Sequence, residues 1–394
     1  MQTPDDFSRM DAPFGHAERE WRILQALRFR GALPKADLSR LTGINKQTVS
    51  ALVDKLISGG WVVAQAPVHG KYGRPPMPVA LSPGAASSIG VRLGWRGFEI
   101  VATDALGRVL ARESRRYERL DPEEVQADLQ ACSRVFVERA QPGAARIAGT
   151  GVAVPLWLER GAAAARKLLG VAERWSSVDL RGLVERAIGG SIELVPEAVA
   201  ACCAELVTGW GREFRGFLYL YIGTFLGAGL VLEGRLYTGA GGRAGAIGLL
   251  NSGLDDPPSG EALRLHEASG LNLRRMVAPV AETNPPVAPE PGDGSSQLLD
   301  PGTSRWLEGA AAALARTCHF ATCLLGLEGI VIDGSLPSRA IRELVWRVEA
   351  ELENRRWPGI KPPRVELGRV GPEARTIGAA LLPLYRWFMP QGEP

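Results

Sequence analysis

The sequence predicts an α/β chain in two parts. A small head of three helices and two strands covers residues 1–85, and a two-lobed body of alternating strands and helices covers 86–394. Three observations lead there. At 394 residues the chain is too long for one small domain. Its basic surplus is confined to the start: residues 1–82 carry 11 Lys and Arg against 7 Asp and Glu, whereas the remainder carries 35 against 36. Near residue 86 the hydrophobic pattern changes from helical stripes to short apolar runs alternating with helices. A basic module on a neutral body is the charge distribution of a nucleic-acid reader attached to another domain.

Hydrophobic content of 45% and charged content of 23% are ordinary for a soluble globular protein. The acidic, polar start "MQTPDDFSRMDAPFGHAERE" is not a signal peptide, and no apolar run is long enough to span a bilayer. A cytoplasmic protein without a membrane segment is expected. The five cysteines form no CxC or CxxC pair and read as small core residues in a reducing compartment. The four histidines are scattered without ligand spacing, so neither a metal nor a cofactor is expected.

In the head, "AEREWRILQALRFRGAL" sets Trp21, Ile23, Leu24, Leu27 and Phe29 on a helical stripe ended by Gly31. "KADLSRLTG" is a second helix, with Leu38 and Leu41 apolar and Gly43 at the turn. "INKQTVSALVDKLISGG" is a third, with Val49, Leu52, Val53 and Leu56 inward and a glycine pair at its end. Two helices joined by a short glycine-containing turn are a helix-turn-helix, whose second helix enters a DNA major groove by its first turns. The polar positions there are Asn45, Lys46, Gln47, Thr48 and Ser50, groups able to read base edges or hold phosphates, and Lys35 of the preceding helix joins them. Two short strands follow, around Val62 and Ala80, and the basic stretch "GKYGRPP" between them forms a wing. Lys71 and Arg74 are its cations, and an arginine on a proline-stiffened segment suits a narrow minor groove. This head resembles the N-terminal winged helix of ROK-family transcriptional repressors, sugar-responsive regulators related to bacterial glucokinases.

The body opens with "SSIGVRLGWRGFEIVATDALGRVLARES", read as three strands with a D-x-x-G turn at 104–107. A helix follows with Val125, Leu129, Cys132 and Phe136 on one face, and then the buried strand "RIAGTGVAV". "GFLYLYIGTFLGAGLVLEGRLYTG" repeats the theme. Two such halves suit an actin-like, sugar-kinase ATPase fold with ligands between the lobes. Residues 281–302, rich in Pro, Gly, Ser and acid, read as a mobile surface insertion. An Ala/Cys-rich helix, a strand ending at Asp333 and Gly334, and two amphipathic helices close the chain.

The ROK resemblance extends over most of this body. ROK kinases open with an Asp-Ile-Gly-Gly-Thr phosphate loop, which "RLGWR" resembles in place only: Arg92 stands for the aspartate, Gly94 is kept, and Trp95 and Arg96 replace glycine and threonine. An arginine cannot hold Mg²⁺ as a carboxylate does. The family's Glu-Asn-Asp-Ala stretch is represented by "VPEA", with Pro196 at the sugar-binding asparagine and Glu197 at the catalytic aspartate. Glu197 is open to two readings: a base or hydroxyl acceptor, or a carboxylate set in a helix's first turn for the dipole. "YIGTFLGAG" is similar to the family's second phosphate segment, keeping Gly223, Thr224 and Gly227 but filling one glycine position with Phe225. Ala246 and Leu249 stand where the family has a sugar-binding glutamate and a histidine, and "NSGLDDPPSGEAL" lacks the family's zinc-binding cysteines. Glu261 survives at a sugar-contacting position, and Arg243 is a third candidate beside Glu197 and Glu261. The resemblance therefore implies a degenerate, non-enzymatic kinase-like domain that senses a small molecule, with a sugar or sugar derivative as one candidate; a DNA-binding scaffold without an effector and an active ATP-dependent sugar kinase are the alternatives. It also implies a homodimer or homotetramer on palindromic double-stranded DNA.

Overall fold

The computed structural model describes residues 18–66, 77–140, 146–155, 158, 173–242, 244–247, 268–270, 273 and 301–388. In the head, α1 (Glu18–Arg30) buries Ile23, Leu24 and Leu27 and stops at Gly31, whose φ of 77° is left-handed. Phe29, expected on the same stripe, has its side chain outside the described set. α2 (Lys35–Thr42) ends at Gly43, and α3 (Lys46–Ser58) starts at Asn45, whose side-chain oxygen accepts from the Thr48 N–H. Leu41, expected in the core beside Leu38, is 49% exposed. α2 spans about two turns and buries little more than Leu38. Strands β2 (Val62–Ala64) and β3 (Pro78–Leu81) fall where the sequence placed them. β3 also pairs with β1 (Leu33–Pro34), a two-residue strand too short to leave a periodic signal.

The body begins with the antiparallel strands β4 (Ala86–Gly94), β5 (Gly97–Asp104) and β6 (Val109–Arg116). α4 (Pro122–Ala140) buries its predicted face of Val125, Leu129, Cys132 and Phe136. β7 (Arg146–Val154), α5 (Leu180–Ile188) and β8 (Ile192–Pro196) complete a sheet of order β6-β5-β4-β7-β8. The chain then enters α6 (Glu197–Thr208) and begins the second lobe with β9 (Phe217–Ile222), β10 (Leu226–Leu232) and β11 (Arg235–Tyr237). α7 (Pro301–Leu325), β12 (Gly329–Gly334), α8 (Ser338–Glu353) and β13 (Arg364–Leu367) follow, giving the order β11-β10-β9-β12-β13. The two sheets share one strand order and one pattern of antiparallel and parallel pairs.

Two residues read as part of the insertion are helical. Pro301 and Gly302 belong to α7, where a proline in the first turn costs no hydrogen bond, and residues 281–300 lie outside the described residues. The last helix, α9 (Ala374–Trp387), crosses back onto the first lobe and lies against β4, β7 and α6. Glycines let it approach that closely. A Cβ on Gly151 of β7 would sit 1.9 Å from the Ala379 carbonyl oxygen, and one on Gly378 would sit 1.7 Å from that of Ala200. Ser88 of β4 also donates its hydroxyl to the Ala380 carbonyl.

Candidate functional site

Two places on the chain gather chemistry-bearing side chains. The first is the start of α3, where Lys46 and Gln47 are exposed on the first turn and Thr48 and Ser50 are half-buried beside them. Three of the predicted contact residues are engaged within the head. Asn45 spends its carbonyl oxygen on the cap, while Lys35 donates to Ser50 at 3.0 Å and pairs with Asp54 at 2.7 Å. Those bonds fix α2 against α3, and Lys46 and Gln47 are left presented to solvent. Lys71 and Arg74 lie outside the described residues.

The second place is the cleft between the lobes. Arg92 and Glu99 are direct cross-strand partners on β4 and β5, and their side chains pair at 2.6 Å. Arg92 also reaches Glu197, at the first position of α6, at 3.5 Å. From α9, Arg375 meets the other oxygen of Glu197 at 3.3 Å, and the Thr376 hydroxyl donates to Glu99 at 2.7 Å. The Arg375 guanidinium lies 4.6 Å from the Tyr221 ring centroid. The cluster thus holds two cations and two carboxylates, mostly withdrawn from water, in bridging geometry. Burial pushes the Glu99 carboxyl up, but the charge and hydrogen bond of Arg92, with the Thr376 hydroxyl, outweigh it and hold the group at about 2.

Glu197 occupies a helix's first turn, as the second of its two readings has it, and two arginines hold its carboxylate. Both carboxylate oxygens are thus engaged by arginines of the same chain. Glu99, Arg375, Thr376 and Tyr221 were missed from the sequence. Glu99 was findable, since it mirrors Arg92 across the Trp95-Arg96 turn. Arg375 and Thr376 gave no local signal.

The glycines of the predicted phosphate segments have structural work to do. A Cβ on Gly227 would come within 2.7 Å of the Ala198 Cβ, and one on Gly229 within 2.3 Å of the Cys202 Cβ, so both glycines admit α6. Gly223 lies against the Tyr221 ring, and its N–H donates to the Phe225 carbonyl to close the β9–β10 turn that carries Thr224. Phe225 leaves this turn to pack against the first lobe's apolar cluster, to which Trp95 also adds. Arg96 stacks on Trp95 with 4.4 Å from guanidinium carbon to ring centroid. Two aromatic side chains thus stand where the family resemblance has bare backbone approaching phosphate. Arg243 and Glu261 lie outside the described residues, as does the segment replacing the zinc loop.

A winged helix-turn-helix joined to a body of two like-ordered sheets defines a winged-helix protein built on a sugar-kinase-like fold. Residues 88–260 match the ROK family and residues 17–71 the MarR family. The xylose repressor of Caldicellulosiruptor bescii is 29% identical over 231 residues, 57% of this chain and 56% of that one. The chain thus spans little more than half the length of that curated relative. Among solved structures, a ROK family transcriptional regulator homologous to the E. coli MLC protein superposes with a TM-score of 0.65 at 19% identity, covering 94% of this chain and 96% of that one. The ROK hexokinase of Thermus thermophilus superposes with a TM-score of 0.55 at 23% identity, over 75% of this chain and 97% of that one.

Proposed function

We propose that the protein is a DNA-binding transcriptional repressor whose kinase-like body, residues 86–394, senses a small molecule of the sugar class without phosphorylating it. One observation carries this reading. In a chain headed by a winged helix, the carboxylate left at the catalytic position is bound by two arginines of the same chain. Mg²⁺ and ATP do not fit these residues: a guanidinium replaces the metal-holding carboxylate, and Trp95 and Phe225 take up the phosphate approach. The effector lies between the lobes with Glu197, Arg243 and Glu261 around it, and D-xylose is the first candidate because relatives are named for it.

The head, residues 1–85, reads the major groove through Lys46 and Gln47 and the minor groove through Arg74, with Lys71 on phosphate. The protein works in the cytoplasm as a homodimer or homotetramer on a palindromic operator, since a two-fold assembly matches a two-fold site. Phe320, Leu324 and Trp346 on α7 and α8 are 70%, 82% and 62% exposed, which supports an oligomer seam there. No helix among the described residues is long and apolar enough to cross a membrane.

The test is retention of sheared DNA from the source organism on the purified protein, followed by sequencing. Discrete palindromic sites are expected, with Lys46→Ala lowering the salt slope by about one unit and Gln47→Ala changing base preference. D-xylose should shift operator affinity, with no ATP turnover on it. Uniform retention that vanishes at modest salt would sink the reading.

A further inference from the structure

We propose that α9 is the element through which the cleft sets the head, its first turn belonging to the Glu197 cluster and its last turn holding the winged helix. The inference rests on the sensing role given to the body and names how that role is executed. At the cleft end, α9 contributes Arg375 to Glu197 and Thr376 to Glu99. At the far end, roughly 20 Å away for a helix of this length, Gln25 of α1 donates to the Phe388 carbonyl at 2.9 Å and Arg28 donates to the Leu384 carbonyl at 3.2 Å. Phe388, just past the helix, receives the Arg28 guanidinium on its ring at 4.7 Å and the edges of Trp21 and Trp61 at 6.2 and 6.5 Å. The Leu384 carbonyl also accepts the Phe388 N–H, so Arg28 adds a second donor to it, and a helix's C-terminal carbonyls carry partial negative charge that favours an amide and a cation there.

The span between the ends is stiff. The backbone of α9 touches Gly151 on one side and Ala200 on another, in contacts that leave no room for a methyl group. Pro383 removes one N–H from the helix, yet a Cβ on Gly151 would lie 3.3 Å from its ring, so this break is packed as well. A displacement of the first turn is therefore passed along the helix as a shift of the whole rod rather than absorbed by bending.

The docked head is also poised to release. Arg28 is only 8% exposed, yet its Nε and one terminal nitrogen find no hydrogen-bond partner among the described residues. A buried cation held by one carbonyl and one ring is under-partnered, and undocking returns its donors to water. This under-partnered cation lowers what release of the head would cost, the direction a ligand-set equilibrium needs. A polyol that accepts from Arg375 and donates to Glu197 or Glu99 would loosen the first turn, and the head would feel it at Leu384 and Phe388.

Hydrogen–deuterium exchange on the full-length, DNA-free protein tests this without needing the effector. Arg375→Met should raise amide exchange in residues 18–30 by about fivefold or more, while β12 stays within about twofold of wild type. If Arg375→Met fails to fold, Thr376→Val, which removes one hydroxyl, should produce the same pattern at lower amplitude. Coupling is reciprocal, so Phe388→Ala should raise exchange at Ile377 in the first turn of α9. A folded Arg375→Met whose α1 exchange matches wild type would overturn the proposal, as would loosening spread equally over α1 and β12. Neither result depends on DNA retention, so failure here and failure of the regulator reading are separate outcomes.

Discussion

The two lobes open with the same hairpin in the same topology, and they have diverged in opposite ways. In the second lobe, β9 and β10 keep the glycine-rich sequence. In the first, Arg92 of β4 and Trp95 and Arg96 of the β4–β5 turn stand where the ROK resemblance has acidic and small residues. The difference follows from what stands behind each hairpin. Gly227 and Gly229 face α6 at distances no side chain can occupy, so packing alone retains them. Nothing lies closer than 3.5 Å to where a Cβ on Gly94 would be, and Trp95 sits in the turn itself. Sterics thus hold Gly227 and Gly229, whereas Gly94 has room for a methyl group. A preserved glycine-rich loop is therefore weak support for phosphate binding when a helix packs directly on it.

Four measurements would break or sharpen this contrast. The largest effect is expected from Gly229→Val, which drives a branched side chain into Cys202 and should cost about 3 kcal/mol in urea unfolding, or abolish folding. A near-neutral result would mean that sterics do not explain the retained glycines. Next comes Arg92→Asp, which restores the kinase-like residue. It gathers three carboxylates around Arg375 and should cost roughly 2 kcal/mol at pH 7, without producing ATP turnover.

Acid titration should give a smaller effect. The Glu99 carboxyl is held below its ordinary range, so its contribution is complete above that range and is lost as pH falls toward about 2. Glu99→Gln should remove roughly 1 kcal/mol of that acid-dependent loss, after allowance for its partial exposure, and unchanged acid unfolding would count against the cluster. Gly94→Ala should change stability by less than about 0.5 kcal/mol, and a larger loss would mean that both hairpins are under the same constraint.

The fold was legible because its signals are local. The helical stripe of α1 and the turn at Gly43 lie within single elements, and the structure places both as expected, whereas Asn45, expected to face DNA, caps α3. The site was legible only in part. Arg92 and Glu197 were named from their places in two motifs, but their meeting spans 105 positions and depends on β7 lying between β4 and β8 in the sheet. Arg375 joins them from 178 positions beyond Glu197 on a helix whose pattern reports only its apolar face. Leu41 misled for the opposite reason, because apolar spacing predicts a face and cannot say how much protein is available to cover it.

The return of α9 onto the first lobe has a consequence for how the protein is made. A ribosome releases the head and β4 to β8 long before residue 374 exists, so during synthesis Gly90, Gly151 and the Ser88 hydroxyl face an empty slot where α9 will later lie. The head likewise emerges without the carbonyls that Gln25 and Arg28 will cap. A chain cut short before Ala374 would lack the strut that completes the first lobe and seats the head. The docked arrangement therefore waits for α9, which is made after every strand and helix it joins.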